Sequence, residues 1–187
     1  QASLMALEQW LYELVEKDAE ELPDIIAQLL TWPSAGILGI LTDLALKEPD
    51  LLHGPLECLV TSLEIHLMSV SRSMLDNTLT GGMIPWTFGY RYGDERAKEA
   101  YAWHAQEHRR RPFTHVTAHV LGFLDLAWPA LEAAVEEWRS KAAEFQEDSP
   151  QRLDIEEVSA FLDARTWKAV EFPNGKQGWQ PTIPTKI

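Results

Sequence analysis

Apolar residues recur at helical spacing through the first half of the chain, and prolines divide this pattern into short segments. The first segment shows the i, i+3, i+4, i+7 pattern of a one-faced helix at Leu4, Leu7, Leu11, Leu14 and Val15. Pro23 suits the first turn of a second helix, Pro33 ends that helix, and Ser34 can cap a third. Short helices joined by proline-marked turns are typical of stacked antiparallel helix pairs. We therefore predict an all-α, HEAT-like α-solenoid segment.

The third predicted helix, residues 35–46, is apolar nearly all round, which indicates that other helices cover it on several sides. Gly36 and Gly39 lower its helix propensity, so we expect close helix–helix approach at both positions. A fourth helix with Leu56, Leu59 and Leu63 on one face extends toward Met74.

The second half of the chain predicts four more helices. Asp94 caps one that runs to about Arg111, and Pro112 separates it from a helix over residues 113–127. Pro129 opens the next, and a last helix covers residues 153–163. The inward residues of the helix after Pro129 are predicted to be Leu131, Val135, Trp138 and Phe145.

The last 22 residues change character. Segments 166–172 and 178–183 flank Asn174-Gly175, which predicts a small β-hairpin that ends in a proline-rich, extended tail. The predicted organisation is a helical repeat domain at 1–165, with an aromatic and glycine-rich loop at 76–93 inside it, and a hairpin and tail at 166–187.

Charge and cysteine content exclude several classes of protein. The formal net charge is −13, and residues 1–66 hold twelve acids against two bases, so general nucleic-acid binding is disfavoured. The single Cys58 lies in an apolar helical pattern, where we expect a buried small hydrophobic residue and a reducing cytoplasm. The longest apolar run, residues 113–135, is broken by polar residues and Pro129, so we predict no membrane span.

The loop at 76–93 is long for a compact domain, and such loops are often functional. Four aromatic residues alternate with small or polar ones, and Arg91 lies among them. One interpretation is an irregular segment or short strand pinned between helices; the other is a partner-binding loop. The candidate partner-contacting residues are Trp86, Phe88, Tyr90, Arg91 and Tyr92.

The stretch 104–119 holds four of the six histidines, and His104, Glu107 and His108 match the H-x-x-E-H pattern of inverted zinc peptidases. On one helix the two histidines would share a face and could bind zinc. Pro112 interrupts the helix that would add His115 and His119, no acidic third ligand stands out, and three adjacent arginines disfavour a dication. We therefore predict no resident metal or other cofactor.

In the favoured interpretation this stretch is a structural corner between two helices. Its histidines are half-buried and bonded to helix ends or carboxylates, and the arginines tie the turn to acidic residues elsewhere. Arg109, Arg110 and Arg111 are also candidates for partner contact. The chain contains no G-x-x-x-x-G-K-[ST] loop, no G-x-S-x-G and no G-x-G-x-x-G, so we predict that it is not an enzyme.

Several segments resemble a helical region of large bacterial STAND-type antiviral defence NTPases. They are WPSAGILGIL at 32–41 and LALKEPDLL at 44–52, followed in the same order by DER at 94–96, HR at 108–109 and LDAR at 162–165. The resemblance spans roughly residues 30–185 and implies the non-catalytic, helical-repeat sensor side of such a protein, which recognises phage proteins.

The sequence thus predicts a cytoplasmic protein-recognition or scaffold module, with a zinc-dependent hydrolase at His104, Glu107 and His108 as the alternative. An apolar helix begins at once after Gln1, as if the chain started within an array. We expect self-association through apolar repeat ends, protein partners, and neither nucleic-acid nor membrane binding.

Overall fold

The chain is mostly α-helical and closes with a small antiparallel hairpin. A computed structural model describes residues 2–78, 95–123, 126–171, 175 and 177–181. The α-helices are α1 (Ala2–Glu16), α2 (Leu22–Leu30), α3 (Ala35–Lys47), α4 (Glu57–Val60), α5 (Leu63–Thr78), α6 (Glu95–His104), α7 (Phe113–Phe123), α8 (Pro129–Ala142) and α9 (Pro150–Leu162). Among the described residues, three 3₁₀ turns lie at Pro49–His53, Glu107–Arg110 and Ala164–Thr166. Strands β1 (Lys168–Glu171) and β2 (Gln177–Gln180) pair antiparallel, which confirms the hairpin.

Local signals mark several helix starts, although the last helix begins at Pro150 rather than at the predicted residue 153. Pro lies in the first turn of α2, α8 and α9, where its missing N–H leaves no helical bond unmade. Ser34 has an extended backbone, and its hydroxyl accepts a hydrogen bond from the Ile37 N–H at 3.5 Å, as an N-cap does. In the hairpin, Gly175 has φ +74°, a conformation that favours glycine.

Three helices end earlier than predicted. The fourth, expected to extend from Leu56 toward Met74, ends at Val60, and α5 begins separately at Leu63. The helix expected to reach Arg111 ends at His104, and a 3₁₀ turn over Glu107–Arg110 follows it. Gln106, between them, has extended backbone angles (φ −58°, ψ 132°), so the two segments are not one helix. The helix expected to reach residue 127 ends at Phe123.

One contiguous apolar core joins the two halves of the chain. Helix α1 packs on α3, α5 packs on α7 and α9, and α8 packs along α9. The 3₁₀ turn at Glu107–Arg110 contacts both α3 and α5. The largest fully buried side chains come from α1–α4, α7, α8 and the segment between α3 and α4: Leu11, Ile26, Leu41, Leu44, Leu52, Leu56, Leu59, Phe113, Leu121 and Leu131.

Three single-residue predictions need correction. A methyl group added at Gly36 would lie 3.0 Å from Leu4 Cδ1, as close approach requires, but one added at Gly39 would meet nothing within 4 Å. Cys58 is exposed rather than buried, because α4 is a single turn whose inward positions are Leu59 and Val60. Phe145 lies beyond the end of α8 and is 37% exposed, not inward.

Within the described residues, no helix combines the length and apolar character needed to cross a bilayer.

Candidate functional site

A groove of about 550 Å³ opens between α5, α7, α8 and α9. Its floor is buried and apolar, formed by Leu63, Ile155 and Val158. Its walls include Val70 of α5 and Phe145, which are 41% and 37% exposed. This volume lies within the roughly 300–1,000 Å³ range of ligand-binding clefts. Among the described residues, the groove therefore offers apolar surface that remains partly exposed.

The apolar lining continues along α5 beyond the groove. Leu63, Leu67, Val70 and Met74 follow one another at i, i+4, i+7 and i+11, so they form one stripe on the helix surface. Exposure rises along this stripe from 3% at Leu63 to 41% at Val70 and 65% at Met74. The α5 stripe, as we call these four residues, thus runs from the groove floor onto the open surface.

The rim of the groove is charged and mostly acidic. Lys141 donates a hydrogen bond to Glu64 at 3.0 Å, and both side chains are exposed. Asp154 and Glu157 of α9 add two more carboxylates. His115 stacks on Phe161 with ring centroids 5.0 Å apart, and burial lowers the pKa of its imidazole. The site therefore combines an apolar floor with an edge of charged side chains.

The histidine stretch does not assemble as H-x-x-E-H requires. His104 ends α6, whereas Glu107 and His108 belong to the 3₁₀ turn, so no shared helical face brings them together. Glu107 is exposed and forms an ion pair with Arg111. His108 points inward, and its Nε2 lies 2.9 Å from the Tyr12 hydroxyl. Among the described residues, no group of three or more His, Cys, Asp or Glu is arranged to hold a metal ion.

Arg109 is an internal residue rather than a surface one. It is 8% exposed, and its Nη1 donates to Glu8 Oε1 at 2.6 Å and to Asp43 Oδ2 at 3.1 Å. Asp43 also forms an ion pair with Arg72 of α5. The corner thus ties α1, α3 and α5 together, and this geometry favours a structural role for Arg109 over partner contact.

Burial is the main cause of the pKa shifts of Glu8 and Tyr12 in this cluster. Desolvation raises the pKa of Glu8, and the negative charge of Asp43 raises it further, while the Tyr12 hydrogen bond and Arg109 oppose the shift. Burial also raises the pKa of Tyr12, so its phenol keeps its proton and donates to Glu8 at 2.6 Å. With that proton committed to Glu8, His108 Nε2–H donates to the Tyr12 oxygen.

The other sequence-predicted contact residues divide into two sets. Arg110 and Arg111 are exposed next to the corner. Trp86, Phe88, Tyr90, Arg91 and Tyr92 lie outside the described residues. The groove itself was not predicted, and Phe145 was assigned to the core. The sequence signal for the groove is on α5, which carries more apolar residues than a single buried helix face requires.

Comparison with models of protein families, with characterised proteins and with solved structures finds no match for this chain.

Proposed function

We propose that this chain is a non-catalytic protein-recognition module whose groove and α5 stripe bind an apolar segment of a partner. The observation that carries the proposal is the continuity between the groove floor at Leu63 and the exposed Val70 and Met74. Contiguous exposed apolar surface of this kind, bordered by charged residues, marks interaction sites in folded proteins.

The shape of this surface favours a polypeptide over a compact small molecule. From Leu63 to Met74 the α5 stripe rises 11 residues, or roughly 16 Å at 1.5 Å per residue. A compact ligand would fill the groove and leave Met74 uncovered, whereas an elongated one covers both.

The proposal also covers the type of helical array and the larger protein to which this chain belongs. Short helices divided by prolines and paired along their length, as α8 and α9 are, support a HEAT-like array. In that setting the chain is part of the sensor side of a bacterial antiviral STAND-type NTPase and works in the cytoplasm. The support is the sequence resemblance and the helical architecture.

A matched pair of α5 variants tests groove binding. Peptides selected from a random displayed library on the wild-type chain are measured by fluorescence anisotropy against Val70→Asn and Met68→Asn. Val70 lies in the groove, and Met68 is 67% exposed on the same helix but outside the lining. Loss of an apolar contact predicts about tenfold weaker binding for Val70→Asn, and less than about twofold for Met68→Asn. Equal effects of the two substitutions, or no selected binders, contradict the proposal.

The zinc-hydrolase alternative gains no support from the separation of His104 from Glu107 and His108. Metal analysis of the purified chain decides it. Stoichiometric zinc that is lost on His108→Ala would overturn the non-catalytic assignment.

A further inference from the structure

We infer that the outer edge of β1 binds an extended segment of a partner protein as a third strand of the hairpin. The segment places a base opposite Glu171 and an acid opposite Lys168. This edge is a second binding site that goes beyond the proposed function, since the residues that line the groove lie in other elements than β1 and β2.

The outer edge of β1 is open to backbone pairing. Among the described residues the sheet has two strands, so β1 has a neighbouring strand on one side only. Lys168, Ala169 and Glu171 are exposed. In an antiparallel pair, alternate residues direct their N–H and C=O groups away from the neighbouring strand, and these groups form a template for another strand. An extended segment satisfies them, whereas a helix bonds its own backbone internally and does not.

The residues before β1 hold the strand on the helical body. Trp167 Nε1 donates a hydrogen bond to the Phe161 carbonyl of α9 at 3.0 Å. The buried Asp163 accepts from Arg165 Nε at 2.7 Å and also forms an ion pair with Arg139 of α8. β1 therefore begins at a fixed point although its own side chains are exposed. A partner segment does not have to order this edge first, which lowers the entropic cost of binding.

Two charges at the ends of β1 select the segment. Lys168 and Glu171 form no ion pair within the described residues, and they face the uncharged Gln180 and Gln177 across the hairpin. Opposite charges directly across two strands attract each other, and like charges repel. Antiparallel pairing is slightly more stable per residue than parallel pairing, so it sets a base first and an acid three residues later. Between them, β-branched residues suit an extended segment.

The size of this edge favours a partner segment over a second copy of the chain. β1 itself carries a base first and an acid last, so a second copy matches it in charge. However, β1 spans only Lys168–Glu171. Two edges of this length bury far less than the roughly 1,200 Å² of a stable protein–protein interface. A flexible segment forms the same backbone bonds without requiring two folded bodies to fit together.

Synthetic peptides of about ten residues, the upper end of ordinary strand lengths, test this inference by NMR titration of the isotope-labelled full chain. The matched peptide carries lysine and glutamate three residues apart, with valine and threonine between them. The acidic peptide has glutamate in place of that lysine. Two further versions of the matched peptide carry N-methyl groups on alternate residues, so that each version lacks the amide donors along one of its two edges.

The matched peptide should shift the amide signals of residues 168–171 and bind about fivefold more tightly than the acidic peptide. On Glu171→Lys this order should reverse, because an acid then faces a lysine at both ends of the strand. The control, Glu132→Lys, makes the same change of charge at an exposed position of α8 and should keep the wild-type order. One N-methyl version should bind at least about tenfold more weakly, and the other should bind like the matched peptide.

Equal binding of the two N-methyl versions would overturn strand addition, and an unchanged order on Glu171→Lys would overturn the charge assignment. No binding of the matched peptide at millimolar concentration overturns the whole inference. Shifts at residues 168–171 that grow with protein concentration alone would assign the edge to a second copy instead. Val70→Asn, in the groove, should leave the matched peptide's affinity unchanged, so the two sites fail or succeed independently.

Discussion

Arg109 shows at the scale of one residue how the corner between α6 and α7 is built. Its guanidinium lies between Glu8 and Asp43, which are 5% and 3% exposed. Two buried carboxylates this close repel each other, and each has lost its hydration. Arg109 compensates both, together with Arg72 at Asp43. Its position is therefore set by the charges that it neutralises.

Arg109→Ala should destabilise the fold by about 3–5 kcal/mol, because it leaves buried carboxylate charge uncompensated. The neighbouring Arg110 is exposed, so Arg110→Ala should change the free energy of unfolding by less than about 0.5 kcal/mol. Urea denaturation measures both. The loss of stability in Arg109→Ala should become smaller as pH falls from 7 to 4. Protonation of Glu8, whose pKa is raised by burial, removes its repulsion with Asp43. Equal effects of the two substitutions would show that the internal ion pairs contribute little.

His66 gives the fold a pH dependence of its own. The imidazole is fully buried, its Nε2 donates to the Val60 carbonyl at 2.9 Å, and its Nδ1 accepts from the Thr114 hydroxyl at 3.2 Å. Burial lowers its pKa from 6.5 to about 4. Because the unfolded chain binds this proton more readily, stability is fully present above about pH 6.5 and is lost as pH falls toward 4.

Over that range His66 should account for about 3 kcal/mol of lost stability in the wild-type chain. His66→Gln should flatten this part of the profile, since glutamine does not titrate. Unfolding free energies at several pH values between 4 and 7 measure the two slopes. Identical slopes for variant and wild type would rule out His66 as the source.

At the scale of secondary-structure elements, local signals explain helix starts better than helix ends. Ser34, Pro129 and Pro150 begin α3, α8 and α9 through capping or fixed backbone angles, and all three signals are visible in the sequence. The early end of α6 has a tertiary cause. Extended backbone at Gln106 lets the next turn carry Arg109 to Glu8 and Asp43, which are distant in the chain. The periodic spacing of apolar residues in the sequence does not indicate ion pairs between residues so far apart in the chain.

The two glycines of α3 make a matched test of packing against propensity. Gly39→Ala should stabilise the chain by about 0.5–1 kcal/mol, because a methyl group there meets nothing and alanine favours the helix. Gly36→Ala should gain less or lose stability, since its methyl group would lie 3.0 Å from Leu4 Cδ1. Thermal unfolding ranks the two variants. A larger gain at Gly36 would contradict the described contact between α1 and α3.

At the scale of the whole molecule, the groove is a site that the sequence alone does not predict. Its lining comes from four separate stretches, 63–71, 112–115, 141–145 and 151–161. Each stretch reads as an ordinary amphipathic segment, and only the packing of α5 against α7 and α9 leaves a cleft between them. Phe145 was assigned inward for this reason: its position is apolar in sequence but forms a wall in the fold.

Helices α1 and α3 and the turn before α3 expose a second set of large apolar residues: Leu4, Met5, Trp10, Trp32 and Leu38. Burial of such side chains between copies is favourable, so we predict that the chain self-associates through this end. Sedimentation velocity should show larger species as concentration rises, and Trp32→Lys with Leu38→Lys should restore a monomer. Leu153→Lys, at the comparably exposed Leu153 on α9, is the control. A monomer at all concentrations would contradict this prediction.

Mapping a bound peptide on the isotope-labelled chain tests groove recognition most directly. A library-selected peptide is titrated into the protein, and the backbone amide shifts that change are assigned. Recognition by the groove predicts changes concentrated at residues 63–75, 112–115, 141–145 and 151–161, and in Val70→Asn the same changes should require about tenfold more peptide. Changes concentrated instead around Leu4, Trp32 and Leu38, and unaffected by Val70→Asn, would show that the chain binds its partners through another surface.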